Sequence, residues 1–392
     1  MMKTALFVFL SVLGIVSATN PIPQYVIDLD VDPEHRYDTI FEVGPKFNDT
    51  VWSFYNQLAG DGPLLNVLYK ISDKRGDYND EQQGEINGLA RLSGLPLKFV
   101  QSIQMLYELQ TIMVPIVNFT GTAADHPTVS ELLDLDPDYE HLLRIPWRGP
   151  GCTGIIALNS DDGTVSHARN LDFSPVDVMG NLVYEGIFKK EGQEVFRSQM
   201  IAGYTMVITA YKAGQDGYAL ERNTRYGDHT GSYKEMVQNL WAGRELNGWS
   251  LRKILESTST FDDALDQIST VPYTSTEYAI LSGLKKGTIL ARNPDNVAHT
   301  QTLGENEDGD DYIIITNFDF FWKDVREWFD PTGGKGAFHP RRIYAQKVLD
   351  AADVLTTDVL WEAINNEGTF ADTIFQAIIN VEQGLWNISQ PM

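Results

Sequence analysis

The chain has 392 residues, a formal net charge of −24 from 54 acidic and 30 basic side chains, and one cysteine, Cys152. That charge argues against nucleic acid as a partner, since phosphate binding needs a basic footprint. A single cysteine excludes any internal disulfide and, with only seven histidines and no zinc-protease spacing among them, argues against a metal site or cofactor.

Met1 to Ala18 reads as a secretory signal peptide: Lys3 supplies the positive end, Ala5 to Val16 the apolar run, and Val16-Ser17-Ala18 the small residues of a cleavage site. Three glycosylation sequons, at Asn48, Asn118 and Asn387, agree with export. A free thiol in a secreted chain points to a reactive one, because cysteines there are otherwise paired. The low isoelectric point suits an acidic compartment, where many carboxylates are neutralised, so the expected destination is the lysosome or the extracellular space. Neutralisation would also relieve repulsion from a membrane or lipid-vesicle surface at acidic pH.

Beyond the leader, Tyr25 to Asp30 alternates as a short strand, and helical periodicity follows over Asn48–Leu58, Glu81–Leu92 and Lys98–Gln110. From Asn118 to Gly151 the chain turns polar and rich in Pro and Gly, an irregular loop ending in Gly149-Pro150-Gly151 immediately before the cysteine. Two strands then flank the turn signal Asp162-Gly163, Gly151–Leu158 and Val165–Phe173. Leu182–Phe188, Val195–Ile201 and Tyr204–Tyr211 continue as a meander. Helices are expected at Tyr233–Trp241, at Leu251–Glu256 and after Thr260, which forms a capping pair with Asp263. Strands return at Tyr278–Leu281, Thr288–Ala291 and Tyr312–Thr316, and the chain ends in helices at Ile343–Ala352, Asp358–Ile364 and Ala371–Val381. Strands and helices in separate blocks indicate an α+β layered domain.

A two-residue turn at Asp162-Gly163 places Cys152 opposite Phe173, and a slip of one places it opposite Asp172. Either register gathers a thiol, the Arg169 guanidinium and a carboxylate at the open end of a strand pair. A nearby cation lowers a thiol's pKa, and the nucleophile in such sites is the thiolate. If the bond after Gly151 is cut, the new α-amine of Cys152 becomes the base. His167 is a second candidate base, although two residues before Arg169 it is placed as a neighbour on the same strand face. Gly149-Pro-Gly151-Cys-Thr-Gly154 spells a dinucleotide fingerprint, but no strand precedes it and a strand, not a helix, follows.

The run Ile22-Pro-Gln-Tyr25-Val-Ile-Asp-Leu-Asp30, then Cys152-Thr153, His167-Ala-Arg169-Asn-Leu-Asp172-Phe173, Ala202-Gly203-Tyr204, Thr316-Asn317-Phe-Asp319 and Pro340-Arg341-Arg342, resembles the acid ceramidase and N-acylethanolamine acid amidase family of cysteine N-terminal-nucleophile hydrolases. The resemblance implies a four-layer αββα core in residues 152–392, preceded by a helical segment, 19–151, that self-cleavage would separate from it. Two chains held without a disulfide would then form the mature molecule. It implies hydrolysis of a lipid amide, N-acylsphingosine (ceramide) in the first place, with an N-acylethanolamine or a non-catalytic lipid-binding role as alternatives. Carried over, Cys152 is the nucleophile, Arg169 and Asp172 position it, and Asn317 donates to the developing oxyanion. Arg342 is the supporting cation, with Arg341 the other register of the pair. The family's glutamate falls on Glu221 before Arg222, or on Thr224 after a shift. The sequence departs from the family in the insertion of roughly thirty residues before Gly151.

Overall fold

The computed structural model describes residues 20–43, 45–60, 63–119, 151–173, 175–226, 233–305, 311–317, 319, 341–366 and 372–391. The leader, the side chain of Asn118 and the expected loop from Thr120 to Pro150 lie outside the described residues.

Among the described residues before Gly151, two short strands are followed by six α-helices: α1 Asp38–Val43, α2 Pro45–Gly60, α3 Pro63–Lys74, α4 Asp80–Ser93, α5 Leu97–Gln104 and α6 Leu106–Phe119. Asn79 starts α4 by accepting the Gln82 N–H, and Gly94, at φ 70°, ends it in the left-handed conformation that glycine adopts without strain. The single helix expected over 98–110 is broken at Met105 into α5 and α6.

Two sheets follow, resting on buried β-branched and apolar strands. The first runs β1 (Asn20–Pro21), β14 (Leu385–Gln390), β13 (Thr373–Asn380), β4 (Val165–Asp172), β3 (Gly151–Leu158), β12 (Tyr312–Ile315), antiparallel throughout. The second runs β11 (Val297–Thr302), β10 (Lys286–Arg292), β9 (Glu277–Gly283), β8 (Tyr218–Thr224), β7 (Tyr204–Lys212), β6 (Gln193–Ile201), β5 (Val183–Lys190), β2 (Gln24–Asp28). Among the described residues only β2, from the N-terminal segment, pairs in parallel, with Val26 against Ile187. Thus the residues before Gly151 supply a strand at one end of each sheet.

The alternation of side chains builds the layers. Ile313 and Ile315 point with Ile156 into the space between the sheets, against Tyr278, Ile280 and Ile289. Ile314, Ile155 and Ala157 point the other way, onto Ala345 and Leu349 of one helix and Leu360 and Ile364 of another. Helices α7 (Tyr233–Trp241), α8 (Asn247–Ser257) and α9 (Phe261–Thr270) follow β8 in sequence. Of these, α8 packs on β7 and α9 on β9, while α5 and α6 reach β7 and β8. The helices on the first sheet are α10 (Arg341–Leu349) and α11 (Thr357–Ile364). The result is the expected α+β, four-layer αββα core. The Thr260 hydroxyl accepts the Asp263 N–H at 3.1 Å and so caps α9 as the sequence predicts.

Two expectations are corrected. The described part of the helix expected over Ala371–Val381 is instead occupied by the central strand β13, all eight of whose residues are buried. A strand covered on both faces shows no alternation, and its run of apolar residues reads equally as a helix turn. The β3–β4 hairpin closes with a longer loop, pairing Leu158 with Val165, so Cys152 sits opposite Leu171 and Asp172 opposite Gly151. This is a shift of two residues from the first expected register. A shift of two leaves every side chain on its own face, which is why the expected neighbours of Cys152 survive it.

A candidate active site at the head of strand β3

Cys152 is the second residue of β3 and wholly buried. Residues on the same face of β4 are Leu171, Arg169 and His167, and their parity turns Arg169 toward the thiol. Its Nη2 lies 3.5 Å from Sγ, and its Nη1 donates to the Ile208 and Arg222 carbonyls, each at 3.2 Å. From α6, the Tyr107 hydroxyl stands 3.7 Å from Sγ and donates to the Arg222 carbonyl at 3.1 Å.

The backbone of Cys152 is held on both sides. Its N–H donates to Asn317 Oδ1 at 2.9 Å, and its carbonyl accepts from Arg341 Nη1 at 2.7 Å. Arg341 also donates through Nη2 to Asn317 Oδ1 at 2.6 Å and pairs through Nη1 with Asp172 Oδ2 at 3.2 Å. The guanidinium the structure places at the site is therefore that of Arg341, at the start of α10, and not that of Arg342. Asp172 faces the helical layer, where the Thr373 hydroxyl also donates to it. It acts on Cys152 through Arg341 instead of reaching the thiol.

Asn317 follows β12, and three hydrogen bonds to two residues fix it. Its carbonyl accepts the Tyr226 N–H at 2.7 Å, and its Nδ2 donates to Thr224 Oγ1 at 2.8 Å and Thr224 O at 2.9 Å. Two residues on, Asp319 accepts from Arg225 Nε and Nη2 at 2.6 and 2.7 Å. The amide nitrogen expected to serve an oxyanion is here committed to Thr224, while the amide oxygen positions the Cys152 nitrogen. Thr224, the alternative to Glu221 in the sequence, is the one that touches Asn317.

Glu221 lies deeper between the sheets, beside Gly154, where a Cβ would come within 2.8 Å of its carboxylate. It meets His167 Nε2 at 2.7 Å and Arg169 Nη1 at 3.6 Å, so it orients the arginine from behind. His167 stands opposite Ile156, four residues along the strand pair from Cys152's level, roughly 13 Å at the strand rise. Its other nitrogen meets Ser282 Oγ at 3.2 Å. That placement removes His167 as a base for the thiol.

Burial pushes the Cys152 thiol up more strongly than the Arg169 guanidinium pulls it down. The cation beside the sulfur does not by itself make a thiolate, so the site as it stands needs a proton acceptor. Tyr107 is held protonated, its phenol pushed well above its ordinary value chiefly by burial.

Tyr107 also walls an apolar cavity of about 490 Å³, counted to its opening, together with Ile103, Leu106, Phe173, Met179 and Tyr204. That apolar lining is of the kind small-molecule sites show. Among the described residues no group of His, Cys, Asp and Glu is arranged to hold a metal, and no helix is long and apolar enough to cross a membrane. Of the sequons, Asn387 is exposed on β14, whereas Asn48 lies half-buried within α2 with its side-chain oxygen covered, a poor position for a glycan.

Tyr107, Thr224 and Arg341 are the site residues that motif reading left out or left open. Tyr107 sits forty-five residues before Cys152 on a separate element, and its only sequence signal is a tyrosine in an apolar helix.

No family model matches the chain. Among curated proteins it is similar to the N-acylethanolamine-hydrolyzing acid amidase of Caenorhabditis elegans, 26% identical over 316 residues that cover 79% of this chain and 78% of that protein. It is similar to the acid ceramidases of Heterocephalus glaber, 24% identical over 78% of this chain and 71% of that one, and of Mus musculus, 22% identical over 78% and 72%. A solved structure of the Caenorhabditis elegans N-acylethanolamine-hydrolyzing acid amidase ortholog matches 60% of this chain and 94% of its own at 26% identity, with a TM-score of 0.46.

Proposed function

We propose that this chain, similar over most of its length to an N-acylethanolamine-hydrolyzing acid amidase and to acid ceramidases, is a fatty-acyl amidase of that family that activates itself by cleavage before Cys152. The observation that carries the proposal is the site at the head of β3. There a lone buried thiol has its own N–H and C=O clamped by Asn317 and Arg341, beside an apolar cavity.

In the first step Sγ adds to the Gly151 carbonyl carbon. The C–N bond breaks, the leaving nitrogen takes the thiol's proton and becomes the α-amine of Cys152, and water hydrolyses the resulting thioester to free the thiol. Thereafter the α-amine is the proton acceptor that the buried thiol lacks. It takes the proton as Sγ attacks a substrate amide and returns it to the departing amine, leaving an acyl thioester for water. Asn317 Oδ1, which holds the nitrogen before cleavage, is placed to orient the amine after it.

Ceramide is the substrate we favour, its acyl chain suited to the apolar cavity. An N-acylethanolamine is the second reading, supported by the 26% identity to the Caenorhabditis elegans amidase against 24% and 22% to the two ceramidases. We extend the proposal to a lysosomal or secreted location, to glycosylation at Asn387, to a lipid-vesicle surface as the place of work at acidic pH, and to a mature molecule of two chains.

Intact-mass and N-terminal analysis of the purified full chain at acidic pH, beside Cys152→Ala, tests it. The expected result is a new N-terminus at Cys152 in the wild type only, with amide hydrolysis appearing as the clip proceeds. Competing ceramide and N-acylethanolamine substrates then rank the two readings. A chain that neither clips nor hydrolyses either amide, yet binds lipid, would make it a non-catalytic relative.

A further inference from the structure

The contacts around Sγ have a feature that the thiol, Arg169 and the clamps do not account for. The Tyr107 hydroxyl and Arg169 Nη1 both donate to one acceptor, the Arg222 carbonyl, at 3.1 and 3.2 Å. Both side chains also stand against Sγ, the hydroxyl at 3.7 Å and Nη2 at 3.5 Å. A hydroxyl hydrogen turns freely about its C–O bond. If the Tyr107 proton swings from the carbonyl to the sulfur, the Arg222 carbonyl keeps the Arg169 bond and no buried acceptor is orphaned.

The position of Tyr107 is itself enforced. The adjacent Glu108 accepts from Arg222 Nη2 at 2.9 Å, and the Arg222 guanidinium lies over the Tyr107 ring at 4.2 Å from its centroid. Arg222 is held from its other side by Glu277, 2.6 Å from Nε. All of these side chains are buried. Arg222 thus grips α6 by the ring of one residue and the carboxylate of the next, and its backbone oxygen parks the hydroxyl.

We propose that Tyr107 is a catalytic residue supplied by the N-terminal segment, whose hydroxyl donates a hydrogen bond to the Cys152 sulfur as negative charge forms on it, with Glu108, Arg222 and Glu277 as its positioning residues. The inference rests on the amidase reading above. A phenol held protonated is a donor and never the base, so the α-amine keeps that role. A charge-assisted bond of this kind strengthens only when the thiolate appears, which is the condition for it to raise the rate and not merely the affinity. It also gives the N-terminal segment a part in turnover, beyond release of the nucleophile.

The test is Tyr107→Phe in the full chain, which keeps the ring that Arg222 covers, followed through self-cleavage and then as the mature enzyme. The expected result is a fall of about ten- to a hundredfold in kcat, the size associated with losing a hydrogen bond to a charged group, with KM for a fatty-acyl amide little changed. The pH profile of Cys152 alkylation by iodoacetamide should shift to higher pH. Slowed clipping in a variant that melts as the wild type does also supports the proposal, because the same sulfur takes charge in that step. An unaltered kcat and alkylation profile would overturn it, and so would a change confined to KM, which would make Tyr107 a wall of the cavity only. The alkylation profile reads the thiol independently of substrate, so a wild-type chain that alkylates but hydrolyses no amide counts against the amidase reading and not against this contact.

Discussion

Arg252→Leu is expected to destabilise the folded chain by about 3 kcal/mol in urea titration, the low end of the cost of removing one partner of a buried ion pair, because Arg36 remains on Glu85. Arg252 on α8 is wholly buried, and its Nη1 and Nη2 each donate at 2.7 Å to the two oxygens of Glu85 on α4. Arg36 Nη1 at 2.8 Å and the Tyr37 hydroxyl at 3.1 Å complete the shell around that carboxylate. Removing Arg252 leaves Glu85 without its two-pronged partner and exposes a hole beside Trp249, whose ring the guanidinium covers at 4.4 Å. A loss below about 1 kcal/mol would instead place the pair in the class of exposed salt bridges and count against its anchoring role. Glu85 precedes the proposed scission point and Arg252 follows it. In a clipped molecule with no disulfide, the same substitution should therefore let the segment before Gly151 elute separately in size-exclusion chromatography.

Stability should fall by about 3 kcal/mol as the pH rises from 4.5 to 7 through one group, Glu277. Burial pushes this carboxyl from 4.5 to about 7, against the pull of Arg222 and with the help of Glu108. Between those values the folded chain holds a proton that the unfolded chain has released, so raising the pH favours unfolding. The contribution is complete below 4.5 and exhausted above 7. The groups facing Glu277 include Arg222, Arg292, Glu108, Asn247, Tyr204, Tyr107 and Tyr273. Two surface carboxylates work in the opposite sense. Arg91 holds Asp38 and Arg36 holds Glu81 below their usual values, outweighing desolvation, and their help is lost as the pH falls through those lowered pKa values. Stability should accordingly peak on the acid side of neutrality, read by urea midpoints at several pH values. Glu277→Gln should flatten the limb between 4.5 and 7; an unchanged limb would assign it to other groups.

The sequence made Cys152 legible as the candidate nucleophile because it has no cysteine to pair with, and Arg169 as its neighbour because strand parity survives a register error of two. Asn317 was readable as a motif residue, but not that its amide oxygen would serve the Cys152 nitrogen. That depends on Thr224 Oγ1 and Arg341 converging from β8 and α10. The choice between Arg341 and Arg342 is a question of helix phase, which a pair of identical neighbours cannot answer. Tyr107 and Glu108 were illegible for a different reason. Their partners lie more than a hundred residues away on β8, and a buried ion pair leaves no local pattern. The αββα layering followed from blocks of strands and helices, whereas β13, covered on both faces, carried no period to read.

The pairing of Asn20 with Gln390 brings the two ends of the described chain side by side. The fold is thus nearly a closed loop, and the place where it is opened is a matter of design. Joining Gln390 to Asn20 with a few glycines and serines, and starting translation before Cys152, gives a circular permutant of the same sheets and helices. Once its initiator methionine is trimmed, its first residue is the cysteine, with a free amine and no scissile bond. Such a molecule would be born mature, and its activity beside that of the natural order would separate what the proposed cut releases from what the fold has already built.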